Sequence, residues 1–148
     1  YCIDDENKYC SMHGINELNE DVRQLCIWKY YDEDTWWNYV GCVNSNCSVS
    51  DIEECWKTCA DNYGIDKDKV STCFEEEAID LLEKDKALGD SLGVRGSPTL
   101  FFNSTERYSG PRSVDGYKQE ICSVDSSLKG CSEVIEEVDS QASGGCGI

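Results

Sequence analysis

A chain of 148 residues is about one domain, long enough to own a core, and its four Trp, eight Tyr and three Phe supply bulky material for one at a hydrophobic share of only 39%. A net charge of −17 with a pI near 4.2, and no basic cluster to offset it, argues against a nucleic-acid partner. No apolar run reaches membrane-span length or has the form of a signal peptide, and the start at Tyr1 rather than Met is expected of a processed product or a piece of a longer protein.

Tyr1 to Lys8 is polar and acidic and does not alternate like a buried strand. Tyr9-Cys10-Ser11-Met12-His13-Gly14 leads into a helix predicted from about Glu17 to Tyr30, with Leu18, Val22, Leu25, Cys26 and Lys29 at helical spacing. A second helix, from about Thr35 and capped by Asp34, presents Trp36, Tyr39, Val40 and Val43, a stripe that reads as core rather than as a ligand groove. Ser50-x-x-Glu53 has the form of a capping box opening a third helix, which Gly64 ends. A fourth helical pattern runs from Asp66 to Leu92 and stops at Gly89 or Gly93, with Glu75-Glu76-Glu77 as a solvated face.

Thr99-Leu100-Phe101-Phe102 is the most strand-like run in the chain, and Pro98 stands at its first position, where a proline removes no interior ladder bond. Ser104-Thr105-Glu106 turns it into a second short strand at Arg107-Tyr108-Ser109-Gly110, and Pro111 and Ser113 start a last helix that ends at Cys122. Beyond Cys131 the chain turns acidic and then Ser- and Gly-rich, so residues 134–148 read as a tail or linker.

Eleven cysteines dominate the composition. With two glycosylation sequons, at Asn46 and Asn103, they point to disulfides in the extracellular space or the endomembrane lumen. Cys2, Cys26, Cys42, Cys47, Cys55, Cys59, Cys73, Cys122 and Cys131 are the candidates for bridges, with pairing left open. Zinc is the alternative, because Cys42-x4-Cys47 and Cys55-x3-Cys59 approach ligand spacing, but with a single histidine no metal and no cofactor is expected. Calcium has no loop of EF-hand spacing. An odd count leaves one sulfur over, and Cys146, in a tail able to reach a neighbour, is the candidate for a bond to another chain.

The glycine-rich turn, Ser97-Pro98-Thr99, the apolar strand, the second strand and the helix ending Ile121-Cys122 resemble the C-terminal half of a thioredoxin fold. With Tyr9-Cys10, Asp21 to Cys26, Trp36 to Val40, Gly64-Ile65-Asp66 and Cys73, the chain from Tyr9 to Ser123 resembles the thioredoxin-like part of the luminal region of vacuolar sorting receptors, and shares features with archaeal and lysosomal thiol reductases. The resemblance implies an α+β, thioredoxin-like domain over residues 1–133, mostly helical, with a helical insertion at about 33–92, a small sheet and a cis bond before Pro98. The first strand of such a fold has too few apolar residues here. It is missing, or another segment or subunit supplies it; Val134, Ile135 and Val138 are the one unassigned apolar group.

The resemblance also puts Cys10 near a helix N-terminus and His13 in the place of the second cysteine of a Cys-x-x-Cys motif. The catalytic reading makes Cys10 an attacking thiolate, His13 a local cation or proton shuttle and Pro98 a facing wall. The structural reading makes Cys10 a half-cystine with Cys2 as a possible partner, and it is preferred because no resolving cysteine is present. The first expectation is therefore a redox-silent, disulfide-stapled structural or assembly unit, one link of an extracellular filament or repeat array, associating with itself or neighbouring subunits. A luminal ligand-binding module of sorting-receptor type and a one-cysteine thiol-disulfide oxidoreductase are the alternatives.

Overall fold

The computed structural model describes residues 2–96, 99–102 and 106–135. The chain divides into two compact units, Tyr1–Gly93 and Val94–Ile148. The first holds four helices: α1 (Ile15–Tyr30), α2 (Glu33–Asn46), α3 (Ile52–Asn62) and α4 (Lys67–Ser91). The second holds a hairpin of β1 (Phe101–Phe102) and β2 (Glu106–Arg107), then α5 (Val114–Val124) and a 3-10 turn (Lys129–Cys131).

In the first unit α1 is the central helix. Leu18, Val22, Cys26 and Ile27 recur at spacings of four, four and one, which places them on one face of a 3.6-residue helix, and all are buried. That face packs chiefly on α4, through Val70, Cys73, Ala78 and Leu82, and α2 packs on α3. Tyr39, Trp56 and Ala60 close the core from the other side.

A polar network is built into this core. The Tyr39 hydroxyl donates to Glu20 Oε1 at 2.9 Å, and Arg23 Nη1 donates to Glu20 Oε2 at 3.3 Å. Arg23 Nη2 also donates to Glu53, which accepts from Asn19 Nδ2 at 3.0 Å, and the guanidinium lies 5.1 Å over the Trp56 ring. Burial pushes the Glu20 carboxyl up from its ordinary value, against the pull of Tyr39 and Arg23, and burial beside Glu20 pushes the Tyr39 hydroxyl up in turn. Three helices are thereby tied by groups that would each be costly to bury alone.

The helix ends show where local rules yield to tertiary partners. α2 is capped by Asp32, not Asp34: the Asp32 carboxylate accepts from the Thr35 N–H at 2.9 Å, and the helix starts at Glu33. The capping box expected at Ser50-x-x-Glu53 does not form. Arg23 and Asn19 draw Glu53 into the core network, Ser50 faces Ser48 at 2.8 Å, and Asp51 stands at the helix start and accepts from the Ser48 N–H at 2.7 Å. α4 is capped by Asp66, which accepts from the N–H groups of Asp68 and Lys69, and Gly93 at φ +68° rather than Gly89 follows its end.

In the second unit Phe101 pairs with Arg107 and Phe102 with Glu106 in an antiparallel register. Among the described residues this hairpin is the one regular sheet, and Val134 and Ile135 carry no strand. Tyr108 meets Phe102 edge-on and Tyr117 at a tilt, with centroids 5.4 and 5.3 Å apart, and its hydroxyl donates to the Pro111 carbonyl at 2.7 Å. Gly116 is required there, since a Cβ would lie 2.3 Å from that same carbonyl oxygen. Ser113 caps α5 as expected, accepting from the Gly116 N–H at 3.0 Å.

Candidate functional site

The segment ahead of α1 is a closed loop. The Asp4 carboxylate accepts from the N–H groups of Lys8 and Tyr9, the Tyr9 bond at 2.9 Å being the main reason its carboxyl lies below the ordinary value. Ile3 N–H donates to the Tyr9 carbonyl at 3.0 Å, and Cys2 and Cys10 face each other across an antiparallel bridge and are joined as a disulfide. Cys10 lies five residues before the first residue of α1, whose N-terminal position is taken by Gly14. The helix dipole, which fades within a turn, does not act on this sulfur.

His13 sits in a separate cluster. Its Nδ1 meets Glu17 Oε1 at 2.8 Å, Ser11 Oγ donates to the other oxygen of Glu17, and the His13 N–H donates to Ser11 Oγ at 3.0 Å. Ser11, and then His13, hold the Glu17 carboxyl below its ordinary value. Serine and imidazole thus both bond to the carboxylate between them, so the ring does not bond the hydroxyl as a general base must. Met12, beside them, is 88% exposed. Pro98 lies outside the described residues, as do Asn103 and Cys146.

The other described sulfurs are paired as well. Cys26 joins Cys73 between α1 and α4, and Cys42–Cys59 and Cys47–Cys55 are two nested bridges between α2 and α3. Cys122–Cys131 joins α5 to the 3-10 turn. The four cysteines of the zinc alternative are therefore consumed by the nested pair. Asn46 is exposed at the last residue of α2, its Nδ2 donating to the Cys42 carbonyl at 2.8 Å.

Beside this lies a groove that sequence reasoning missed. The aromatic stripe of α2 divides: Tyr39 and Val43 are core, but Trp36 also lines the groove, next to Trp37, which is 57% exposed, and Trp28 of α1, which is 53% exposed. Trp36 stands edge-on to both, with centroids 5.3 Å from Trp28 and 4.8 Å from Trp37. These rings, with Asp21, Glu33 and Asp85, line an open groove of about 590 Å³ between α1, α2 and α4. The signal was present in the sequence as Asp21, Leu25 and Trp28 at spacings of four and three, beside the core stripe of the same helix.

Five helices, a small two-stranded hairpin and several disulfides make this a mostly helical, disulfide-rich domain of thioredoxin-like class. A family model described as the vacuolar sorting receptor thioredoxin-like domain matches residues 1–122, and the chain belongs to that family. No curated protein and no solved structure matches the chain. Family and disulfides together point to an extracellular or luminal location. Among the described residues no helix is long and apolar enough to cross a membrane.

Proposed function

We propose that this chain is a redox-silent structural and assembly module of the extracellular space or the endomembrane lumen. The observation that carries the reading is the use of sulfur. Ten of the eleven cysteines pair with one another, Cys10 with Cys2 among them, so the attacking thiolate of an oxidoreductase is spent and Cys146 has no partner left in its own chain. A leftover sulfur in an oxidising compartment stays as a free thiol or bonds to another chain, and a sulfur available for such a bond suits a link in a larger array. N-linked glycans at Asn46 and Asn103 belong to the same proposal. A second reading, a ligand-binding module of sorting-receptor type, is favoured by the exposed tryptophan groove.

Alkylation of the native protein followed by non-reducing peptide mapping tests the proposal. The expected result is a Cys2–Cys10 peptide and either a Cys146–Cys146 peptide or alkylation at Cys146 alone, with no insulin reduction. Alkylation at Cys10, with insulin turnover that Cys10→Ala abolishes, would replace the proposal with a thiol oxidoreductase. A chain with free Cys146 that light scattering finds monomeric at all concentrations removes the assembly role.

A further inference from the structure

The first unit contains two examples of how this protein satisfies an acidic, aromatic cluster with a cation of its own. Arg23 lies over Trp56 between Glu20 and Glu53. Lys29 and Lys69 lie 5.0 and 4.5 Å from the Tyr30 ring, and Lys29 pairs with Glu77. The groove of Trp28, Trp36 and Trp37 has the same components without the cation. Among the described residues, neither Asp21 nor Glu33 nor Asp85 forms an ion pair.

What the groove offers a ligand is also one-sided. The indole N–H of Trp36 donates to the Gln24 carbonyl at 3.1 Å, that of Trp37 to Glu33 Oε1 at 3.3 Å, and the Gln24 amide to Glu20 at 3.3 Å. These donors are engaged within the protein, and the indole N–H of the exposed Trp28 is the main donor left beside carboxylate oxygens and ring faces, both of which attract positive charge. Asp21 reports the missing counter-ion: although its surface stays open to water, the packed surroundings of its carboxyl and then the charges of Glu17, Glu20 and Asp85 raise it to about 6.

We propose that this groove binds an arginine side chain from a basic segment of a partner protein, its guanidinium held by Asp21, Asp85 and Glu33 and stacked on an exposed tryptophan face. The planar fork of arginine suits two carboxylates and an indole at once, where lysine offers a point charge. The proposal goes beyond the scaffold reading. Thiol mapping decides that one, and a chain with a free Cys10 would bind the same ligand, so the two fail separately.

The test is a titration of the full chain with acetyl-Gly-Arg-Gly-Arg-Gly-amide and with its citrulline counterpart, which keeps the shape and removes the charge. Readouts are tryptophan fluorescence and the four indole N–H resonances. The arginine peptide is expected to bind saturably and to shift the Trp28 and Trp37 resonances while that of the buried Trp56 stays in place. The citrulline peptide should bind about tenfold or more weakly, as should the arginine peptide to Asp21→Asn/Asp85→Asn. Asp5→Asn/Glu6→Gln removes the same two charges from the exposed N-terminal loop and should leave affinity within about twofold. Trp37→Ala, at an exposed position, tests the aromatic wall without touching the core. Equal binding of the citrulline peptide, an equal loss in the loop variant, undiminished affinity in Trp37→Ala, or no binding at all would overturn the proposal.

Discussion

Asp21 shows how a single carboxyl can be placed at a cost to the fold. Its pKa rises from 3.8 to about 6 in the folded chain, first because the atoms packed around the carboxyl hydrate it less well than open water does, although its surface stays exposed, and then because Glu17, Glu20 and Asp85 are near. Below about pH 3.8 the group is protonated in both states and contributes no penalty. Between 3.8 and about 6 the folded state holds a proton that the unfolded state has released, so stability falls as pH rises through that window. Above it the penalty is complete. Asp21→Asn, which mimics the neutral form, is therefore expected to stabilise the protein at pH 7.5 by on the order of 1 kcal/mol, the exposed position reducing what the shift alone would give. Melting curves of both proteins check this: a few degrees' gain at pH 7.5 should vanish near pH 3.5. A gain of equal size at both pH values would show that charge is not the cause. In sequence Asp21 was one acid among thirty, because its burden comes first from tertiary packing and then from three carboxylates of which one, Asp85, is sixty-four residues away.

Elements were legible where a local signal had no tertiary competitor. α1 and α4 lie where apolar periodicity placed them, α3 lies between its Ser50 and Gly64 signals, and Gly64 and Gly93 follow helix ends with φ of +67° and +68°. Ser50 and Glu53 carried an equally good local signal that failed, because a buried guanidinium pulls on Glu53 more strongly than a free N–H does. Tyr39 as core and Trp36 and Trp37 as groove could not be told apart from spacing alone, since the division depends on what α1 and α4 place opposite them. Disulfide pairing was likewise closed to sequence: the nested Cys42–Cys59 and Cys47–Cys55 pair is one of several solutions with equal local merit. The bridge that matters most between elements is Cys26–Cys73, which closes 47 residues of chain and joins the two helices with the most extensive mutual packing. In the loop-entropy account a closure of that length stabilises by about 4 kcal/mol. Cys26→Ala/Cys73→Ala should lose that much, plus the packing of two buried sulfurs, and urea unfolding measures it. A loss below about 1 kcal/mol would mean that α1 and α4 are held by side-chain packing alone.

At the scale of the molecule, core and sulfur tell the same story about which part can stand alone. Every member of the buried cluster lies between Tyr9 and Leu82. All eight cysteines up to Gly93 pair with one another, and each of the five bridges closes within one unit. A segment of this size buries a smaller share of its surface than a larger domain would, and the four bridges offset that, each by about 2–4 kcal/mol. Residues 1–93 expressed in an oxidising compartment are therefore expected to fold unaided, with helical circular dichroism, a cooperative melt and no alkylatable thiol. Residues 94–148 hold one described bridge, a two-strand hairpin and no buried apolar side chain among the described residues, so the same measurement on them should give no cooperative transition. The family match extends to residue 122 and so takes in the hairpin and most of α5. If residues 1–93 instead bind ANS and melt gradually, the hairpin and α5 are needed to complete the fold, and the thioredoxin-like unit is indivisible.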